Sequence, residues 1–281
     1  MKQKIAFSLV FLLCSFFSFA QQIQMPQASP SAKIAQKVGL TDVTVDYSRP
    51  SMKDRKIFGE LVPYGQVWRT GANGATVLSF STDVIIGGKP VPAGQYALYS
   101  IPSKSDWTMI LSKNIKLWGA IGYEQSDDLI RFKAKPEKLK KKAETFEISF
   151  ANMTDTGSDL SLKWENTRVD FRIETEVDPL VMAQIKEYVI DADSDDPSLL
   201  YSAASYYYTN SKDMNQAYNW ISESVKEDPK YWTVHLKAKI EAALGKKTEA
   251  VESAEEAIGL AEEAGNQDYV GLNERLIKSL K

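Results

Sequence analysis

Cysteine and histidine are almost absent from this chain of 281 residues, which contains one of each. Cys14 lies inside an apolar run near the start, so disulfides and thiolate chemistry are excluded from the rest of the chain. His235 lies on a predicted helix, where a lone histidine is usually filler. A Ser-His-Asp triad and a His-carboxylate metal cage are therefore excluded from the first half of the chain. The sequence predicts no metal and no cofactor.

Long apolar runs are also scarce, and residues 5–17 form the one that resembles an export signal. Lys2 and Lys4 precede it, and Ser18-Phe19-Ala20 offers small residues where a signal peptidase cuts. We expect residues 1–20 to be a signal peptide and the mature chain to be periplasmic or extracellular. A retained membrane anchor is the alternative, and a lipid on Cys14 is disfavoured by the bulky Leu13. No later run is long enough to span a membrane.

Charge is unevenly spread along the chain. Residues 21–177 carry 21 Lys or Arg against 18 Asp or Glu, whereas residues 178–281 carry 11 against 19. Nucleic-acid binding needs a concentrated basic surface, so a near-neutral half followed by an acidic half predicts no nucleic-acid partner.

Residues 21–177 show the alternation of apolar and polar side chains that is typical of β-strands. Val43, Val45 and Tyr47 are one example, and Gly87-Gly88 is a tight-turn pattern. Nine or ten short strands with few helical patterns between them predict an antiparallel β-sandwich or barrel.

Residues 178–281 have apolar spacings of three and four, beginning after Asp178-Pro179, and so predict an all-helical domain. Tyr201, Ala204, Tyr208, Ala217, Ile221, Ser224 and Pro229 are spaced like a tetratricopeptide repeat, whose period is about 34 residues. A degenerate second copy follows, and residues 268–280 would cap it. An unrelated helical bundle is the alternative.

The strongest candidate site is a stretch of arginines, aromatics and glycines. Arg49, Arg55 and Arg69 lie within 21 residues of one another in the sequence. The segment Trp68-Arg69-Thr70-Gly71-Ala72-Asn73 places Arg69 beside an indole and near an amide. A guanidinium suits carboxylate, phosphate or sugar hydroxyls and stacks on aromatic rings. These residues either bind a ligand or pin a long loop by donating to backbone carbonyls, and the sequence leaves both readings open.

For three other polar clusters, the sequence favours a structural role over a binding or catalytic one. Asp127-Asp128 precedes a strand, and neighbours on a strand point to opposite faces. The acidic residues 193–196 lack the spacing and glycine of a calcium loop. The lysine run 138–142 could contact an anionic lipid or glycan, although a solvated connection is favoured.

The stretch of arginines, aromatics and glycines, together with several later motifs, makes the chain resemble a secreted bacterial family, the domain of unknown function 2911. The resemblance covers about residues 28–175 and is carried by residues 47–51, 55–59, 62–65, 68–73, 92–98 and 118–120, with Tyr123 and Asp127. The resemblance implies export and a β domain that is often followed by helical repeats. Because the activity of the family is not established, the resemblance does not indicate a reaction. Gly74 departs from the family pattern, which often has an acidic residue after Asn73.

We therefore predict an exported, non-enzymatic binding protein. The β domain would bind a small anionic or glycan ligand through Arg49, Arg55, Trp68, Arg69, Asn73 and Tyr123. The helical domain would contact a protein or peptide. The alternative is a glycan-acting or carboxylate-using envelope enzyme.

Overall fold

A computed structural model describes residues 25–281, and the expected signal peptide lies outside the described residues. The chain forms two compact units that divide between Thr175 and Glu176. The boundary proposed from the sequence, between residues 177 and 178, lies two residues further along. An antiparallel β fold followed by an all-helical part is confirmed.

Within residues 25–175, the β unit forms ten strands in two antiparallel sheets. Their bounds are β1 Ser31–Val38, β2 Thr41–Ser48, β3 Thr76–Phe80, β4 Val84–Ile86, β5 Lys89–Val91, β6 Gly94–Ile101, β7 Trp107–Ser112, β8 Asp128–Ala134, β9 Pro136–Thr154 and β10 Gly157–Glu174. One sheet has the order β1-β2-β3-β6-β7-β8, and the other has the order β5-β4-β10-β9.

Alternating side chains place the main core between the two sheets. Val43 and Val45 of β2 and Leu98 of β6 are fully buried, as is Ile173 of β10. Residues two apart on a strand share a face, so the period-two pattern brings these side chains into one apolar layer. Burial of this layer is the main stabilisation available to a unit without disulfides.

An aromatic cluster closes one part of this core. The ring of Trp68 stacks on Trp164 at a centroid distance of 5.8 Å, and it meets Phe146 edge-on at 5.4 Å. Phe58 packs edge-on against Trp107 at 5.0 Å. Because Phe58 and Trp68 belong to the long connection between β2 and β3, this cluster anchors that connection to both sheets.

A second, smaller apolar cluster lies on the opposite face of the six-stranded sheet. Ala97 and Tyr99 of β6 and Ile110 of β7 are fully buried there. Leu117, Ala120 and Tyr123 pack against them from the connection between β7 and β8. We call residues 113–123 the cover segment, because they shield this outer face from solvent.

The helical unit contains six α-helices. Their bounds are α1 Val177–Ile185, α2 Pro197–Thr209, α3 Met214–Ser224, α4 Tyr231–Ala243, α5 Lys247–Glu263 and α6 Gln267–Leu280. A single π-helical stretch, Lys186–Ile190, continues α1.

Small side chains and aspartate caps explain how these helices pack and begin. Ala204 of α2, Ala217 of α3 and Ala254 of α5 are completely buried, which lets neighbouring helices approach closely. The Asp196 and Asp213 carboxylates accept backbone N–H bonds at the starts of α2 and α3. The tetratricopeptide-like relation between the helix pairs stays a prediction. Among the described residues, no helix is long and apolar enough to cross a membrane.

His235 is half-buried in this unit. Its Nδ1 atom and the Asn273 Oδ1 atom are 2.8 Å apart, and burial lowers the pKa of the imidazole. The ring of Tyr269 packs edge-on against it. This environment is that of a structural histidine.

Candidate functional site

Two of the predicted site residues, Arg49 and Arg55, donate to backbone carbonyls. The Nε of Arg49 lies 3.1 Å from the Phe146 carbonyl oxygen. The Nε of Arg55 lies 2.8 Å from the Met52 carbonyl, and one of its terminal nitrogens lies 2.7 Å from the Ser51 carbonyl. Guanidinium groups engaged in this way fix the path of the β2–β3 connection. A ligand-binding role for these two arginines stays a prediction.

Trp68 lies in the core beneath that connection. Its side chain is 8% exposed, and its Nε1 donates to the Gly71 carbonyl at 3.1 Å. The backbone of Trp68 exchanges two hydrogen bonds with Ser100 of β6, at 2.7 and 2.9 Å. The indole therefore supports the site from below, because its ring is packed among other aromatics.

Asn73 connects three segments. Its Nδ2 donates to the Ser29 carbonyl and to the Ser48 hydroxyl, both at 3.2 Å. Its own carbonyl accepts from the Gly119 N–H at 3.0 Å. The backbone of Asn73 has a φ of 59°, a left-handed conformation that asparagine tolerates better than most residues. Asn73 thus positions the cover segment over the sheet.

Arg69 lies on the outer face of the sheet, beside Tyr99. The antiparallel bridge between Trp68 and Ser100 makes Arg69 and Tyr99 cross-strand neighbours, and alternation directs both away from the main core. The buried Nε of Arg69 has no hydrogen-bond partner within residues 25–281, where no carboxylate pairs with this guanidinium. Burial lowers the pKa of Arg69. This half-buried cation is thus held without a counter-ion in the described part of the chain.

Tyr99 supplies a second donor without a partner. Its side chain is fully buried, and its hydroxyl makes no hydrogen bond to the described residues. Burial raises the pKa of Tyr99, and the nearby carboxylate of Asp127 raises it further. The phenol therefore stays protonated at neutral pH and remains a donor.

Tyr123 is held in a triad of side chains at the margin of the same face. Its hydroxyl donates to the Asp128 carboxylate at 2.8 Å and accepts from a terminal nitrogen of Arg131 at 2.6 Å. The Nε of Arg131 also donates to Asp128 at 2.5 Å. Burial raises the pKa of Tyr123 to about 12, with a further contribution from Asp128. The ring packs on Tyr99 at a centroid distance of 5.1 Å.

The cover segment is attached to the sheet along one edge. Trp118 bridges Gly74, and the Ala75 N–H donates to the Leu117 carbonyl at 3.4 Å. Gly119 has a φ of +73°, and a Cβ built there would lie 3.6 Å from a terminal nitrogen of Arg69. The segment therefore passes directly over the guanidinium. Its Trp118 and Ile121 side chains are 70% and 82% exposed.

The structure brings together three of the six residues predicted from the sequence. Arg69 and Tyr123 share the outer face, and Asn73 holds the cover segment above them. Arg49, Arg55 and Trp68 lie in the connection or the core instead. Tyr99 was not among the predicted site residues, although the alternation of side chains along β6 places it with Ala97 and Ile101 on the face opposite Leu98.

The comparison with protein families gives one match. Residues 29–173 match the family described as Protein of unknown function (DUF2911). This match covers more than half of the chain, so the chain belongs to that family. No curated protein and no solved structure matches it.

Proposed function

We propose that this protein is an exported binding protein whose β unit holds a small anionic ligand on the outer face, between Arg69 and Tyr99. The observation that carries the proposal is the pair of neighbouring donors without acceptors, the Arg69 Nε and the Tyr99 hydroxyl. A buried polar group left without a partner costs about 1–3 kcal/mol, so a ligand that supplies acceptors is favoured there.

The chemistry of the two donors selects the ligand class. Both donate, one of them carries a positive charge, and neither is matched by a carboxylate of the described residues. A carboxylate or a phosphate offers several acceptor oxygens and a compensating negative charge. Apolar neighbours such as Ala97 and Ile110 make the surroundings dry, which strengthens such an ion pair.

The geometry supports binding better than catalysis. A glycan-acting enzyme of the common kind needs two carboxyl groups on either side of a cleft. The nearest candidates are already engaged, because Asp128 pairs with Arg131 and Asp127 accepts from Asn114 at 3.1 Å. A carboxylate-using enzyme remains the alternative to be tested.

Titration with inorganic phosphate and with succinate tests this site. We expect at least one of the two to bind, and the Tyr99→Phe and Arg69→Lys variants each to bind it about tenfold more weakly, equivalent to about 1.4 kcal/mol. Tyr96→Phe is the matched control on the same strand, because the Tyr96 hydroxyl donates to the Pro92 carbonyl instead. Absence of binding by the unaltered protein, or equal binding by Tyr99→Phe, would contradict the proposal.

Export rests on the apolar run at residues 5–17 and the cleavage pattern ending at Ala20. N-terminal sequencing of the protein recovered from the periplasm or medium of an expressing bacterium should begin at Gln21. A first residue of lipid-modified Cys14, or a retained Met1, would contradict this part of the proposal.

The helical unit is proposed to contact a protein partner that carries a basic segment. A groove of about 840 Å³ lies between helices α2 and α3 and residues 189–195. Tyr207 and Trp220 form its apolar floor, and four carboxylates line it: Asp193, Asp195, Asp213 and Glu223. Asp213 caps α3 and Glu223 pairs with Lys226, so Asp193 and Asp195 are the carboxylates that keep their charge. A Lys-rich peptide should bind the full-length protein, and Asp193→Asn with Asp195→Asn should weaken that binding. Equal affinity for a Glu-rich peptide would contradict this assignment.

A further inference from the structure

A second cleft lies in the β unit and shares no residue with the Arg69–Tyr99 site. It has a volume of about 270 Å³, just below the range of about 300–1,000 Å³ that is usual for ligand sites. Its lining includes Tyr64, Lys104, Trp107, Lys138, Asn166 and Thr167. We call it the end cleft. Its residues come from four separate parts of the chain, which the fold brings together.

One wall of the end cleft is an aromatic ring that is fixed yet exposed. Tyr64 is 40% exposed. A Cβ built on Gly59 would lie 2.8 Å from the Tyr64 Cε2, so the ring packs directly on the backbone at Gly59, whose φ is +93°. The Gly65 N–H also donates to the Pro102 carbonyl at 2.9 Å. The ring is thus presented to solvent without the mobility of an ordinary surface tyrosine.

The charge at the end cleft is positive. Lys104 and Lys138 line it, and neither makes an ion pair within the described residues. The one acidic lining residue, Glu137, is paired with Arg168 at 2.7 Å. Arg168 also pairs with Asp170 at 3.0 Å, so it compensates the charge of Glu137 only in part. The two lysines keep their full charge, and the positive charge at the end cleft rests on them.

An irregularity in the β9–β10 pairing adds more positive charge beside the end cleft. Lys138 pairs with Thr167, and the next pair is Ala143 with Glu165. Residues 139–142 therefore bulge opposite Asn166 alone, and they carry three exposed lysines, at 140, 141 and 142. A bulge of this kind redirects side chains and interrupts regular strand pairing, and bulges are common at sheet edges and next to functional sites.

Neutral hydrogen-bonding groups complete the end cleft. The Asn166 amide and the Thr167 hydroxyl line it, and neither side chain forms a hydrogen bond within residues 25–281. An amide supplies both a donor and an acceptor, and a hydroxyl does the same. Such groups suit the alternating donor and acceptor character of sugar hydroxyls.

We infer that the end cleft binds an acidic saccharide, a sugar ring that carries a carboxylate or a sulfate. The flat Tyr64 ring packs against the apolar C–H face of a sugar, Asn166 and Thr167 exchange hydrogen bonds with its hydroxyls, and Lys104 and Lys138 pair with its acidic group. A simple inorganic anion would leave the aromatic wall unused, and a neutral sugar would leave the lysines unused.

Calorimetric titration of the full-length protein with tetragalacturonate tests this inference. We expect binding that is at least about tenfold tighter than that of neutral maltotetraose. Raising the ionic strength from about 0.1 M to about 1 M, which shortens the Debye length from about 10 to about 3 Å, should weaken it. Equal affinity for the neutral sugar, or no binding of tetragalacturonate, would overturn the inference.

Substitutions distinguish a specific saccharide site from a basic surface that binds any polyanion. Tyr64→Ala and the double variant Lys104→Gln/Lys138→Gln should each lose about tenfold in affinity for tetragalacturonate with unchanged circular dichroism. Tyr64→Phe should restore most of the binding. The control Lys113→Gln/Lys116→Gln removes the same charge from exposed positions of the cover segment and should bind normally.

Tetrapolyphosphate serves as the polyanion control. If it binds as tightly as tetragalacturonate and Tyr64→Ala leaves both unchanged, the lysines form a non-specific basic patch and the inference is wrong. If the cover-segment control loses tetragalacturonate binding instead, the saccharide occupies the Arg69–Tyr99 site, and the end cleft is again the wrong location. Phosphate or succinate binding at Arg69 is measured independently, so the two proposals can fail separately.

Discussion

Three buried tryptophans contribute to the core of the β unit, whereas completely buried alanines lie among the larger side chains in the core of the helical unit. Trp68, Trp107 and Trp164 are nearly completely buried in the first, and Ala204 and Ala217 are completely buried in the second. Two sheets leave a thick layer to fill, and aromatic rings fill it with a large apolar area each. Paired helices need close approach, which small side chains permit.

Both units leave some buried polar atoms without a hydrogen-bond partner among the described residues, and in the helical unit these are the Ser222 Oγ and the Glu241 Oε2. The helical unit satisfies the N–H groups at the starts of α2 and α3 with the carboxylates of Asp196 and Asp213. The β unit leaves the Arg69 Nε and the Tyr99 hydroxyl without acceptors on one face. A polar group that the described chain does not satisfy indicates where a ligand is expected. The β unit differs in that two of its partnerless groups, on Arg69 and Tyr99, are neighbouring donors on one face, and this supports the site proposed there.

The first prediction tests whether the two cores are independent. Trp68→Ala removes the centre of the aromatic cluster and should destabilise the β unit by about 3–5 kcal/mol. Peptide-resolved hydrogen exchange should then show faster exchange throughout residues 31–174 and unchanged exchange in α2 to α5. Trp232→Ala is the control, because Trp232 is 36% exposed, and it should alter neither unit strongly. Faster exchange in both units after Trp68→Ala would show that the cores are coupled.

The second prediction separates an arginine that fixes a loop from one that awaits a ligand. Arg49→Ala removes a charged donor to the Phe146 carbonyl and should cost about 1.5–3 kcal/mol of unfolding free energy. Arg69→Ala removes a side chain whose Nε has no partner, so it should cost less than about 1 kcal/mol. Chemical denaturation measures both values. A larger loss for Arg69→Ala would make Arg69 the structural clamp.

The arginine cluster also shows how far the sequence could predict the site. Alternation and turn patterns are local, so they placed the strands and the change to helices near residue 177. The separation of Arg49 from Arg69 depends on the Trp68–Ser100 bridge, which joins segments that are about 30 residues apart in the chain. No local pattern could show that Arg49 meets a carbonyl of β9 while Arg69 meets Tyr99.

The end cleft was beyond sequence prediction for the same reason. Its Tyr64, Lys104 and Lys138 come from three separate connections or strands. The sequence alone favours a solvated connection for the lysine run 138–142. The bulge in the β9–β10 pairing places these lysines at the edge of the end cleft. The position of the bulge depends on the register between the two strands, which contacts between distant residues set.

The third prediction compares two buried tyrosines within the β unit. The Tyr47 hydroxyl accepts from the Ile148 N–H at 3.1 Å, so Tyr47→Phe should cost about 1–3 kcal/mol by leaving that group unsatisfied. Tyr99→Phe removes a hydroxyl that has no partner, so it should be neutral or slightly stabilising. The test is to compare the denaturation midpoints of the two variants and the unaltered protein, provided that the unfolding free energy of all three depends equally on denaturant concentration. A comparable loss for Tyr99→Phe would reveal a hydrogen bond to that hydroxyl and weaken the proposed site.

The smallest effect is expected from pH, and it compares one tyrosine in each unit. Burial and a neighbouring carboxylate raise the pKa of Tyr123 in the β unit to about 12, and the same is true of Tyr206 with Asp178 in the helical unit. A raised folded-state pKa means that the folded protein holds the phenolic proton more tightly than the unfolded chain, where the pKa is about 10. The resulting stabilisation is complete below about pH 10 and is lost between about pH 10 and 12. In Tyr123→Phe the unfolding free energy should fall less steeply with pH across this range. Adding Tyr206→Phe to that variant should reduce the remaining slope again. Denaturation at about pH 9 and about pH 11 measures these slopes, and a slope unchanged by Tyr123→Phe would show that the Tyr123–Asp128 hydrogen bond does not hold the proton in solution.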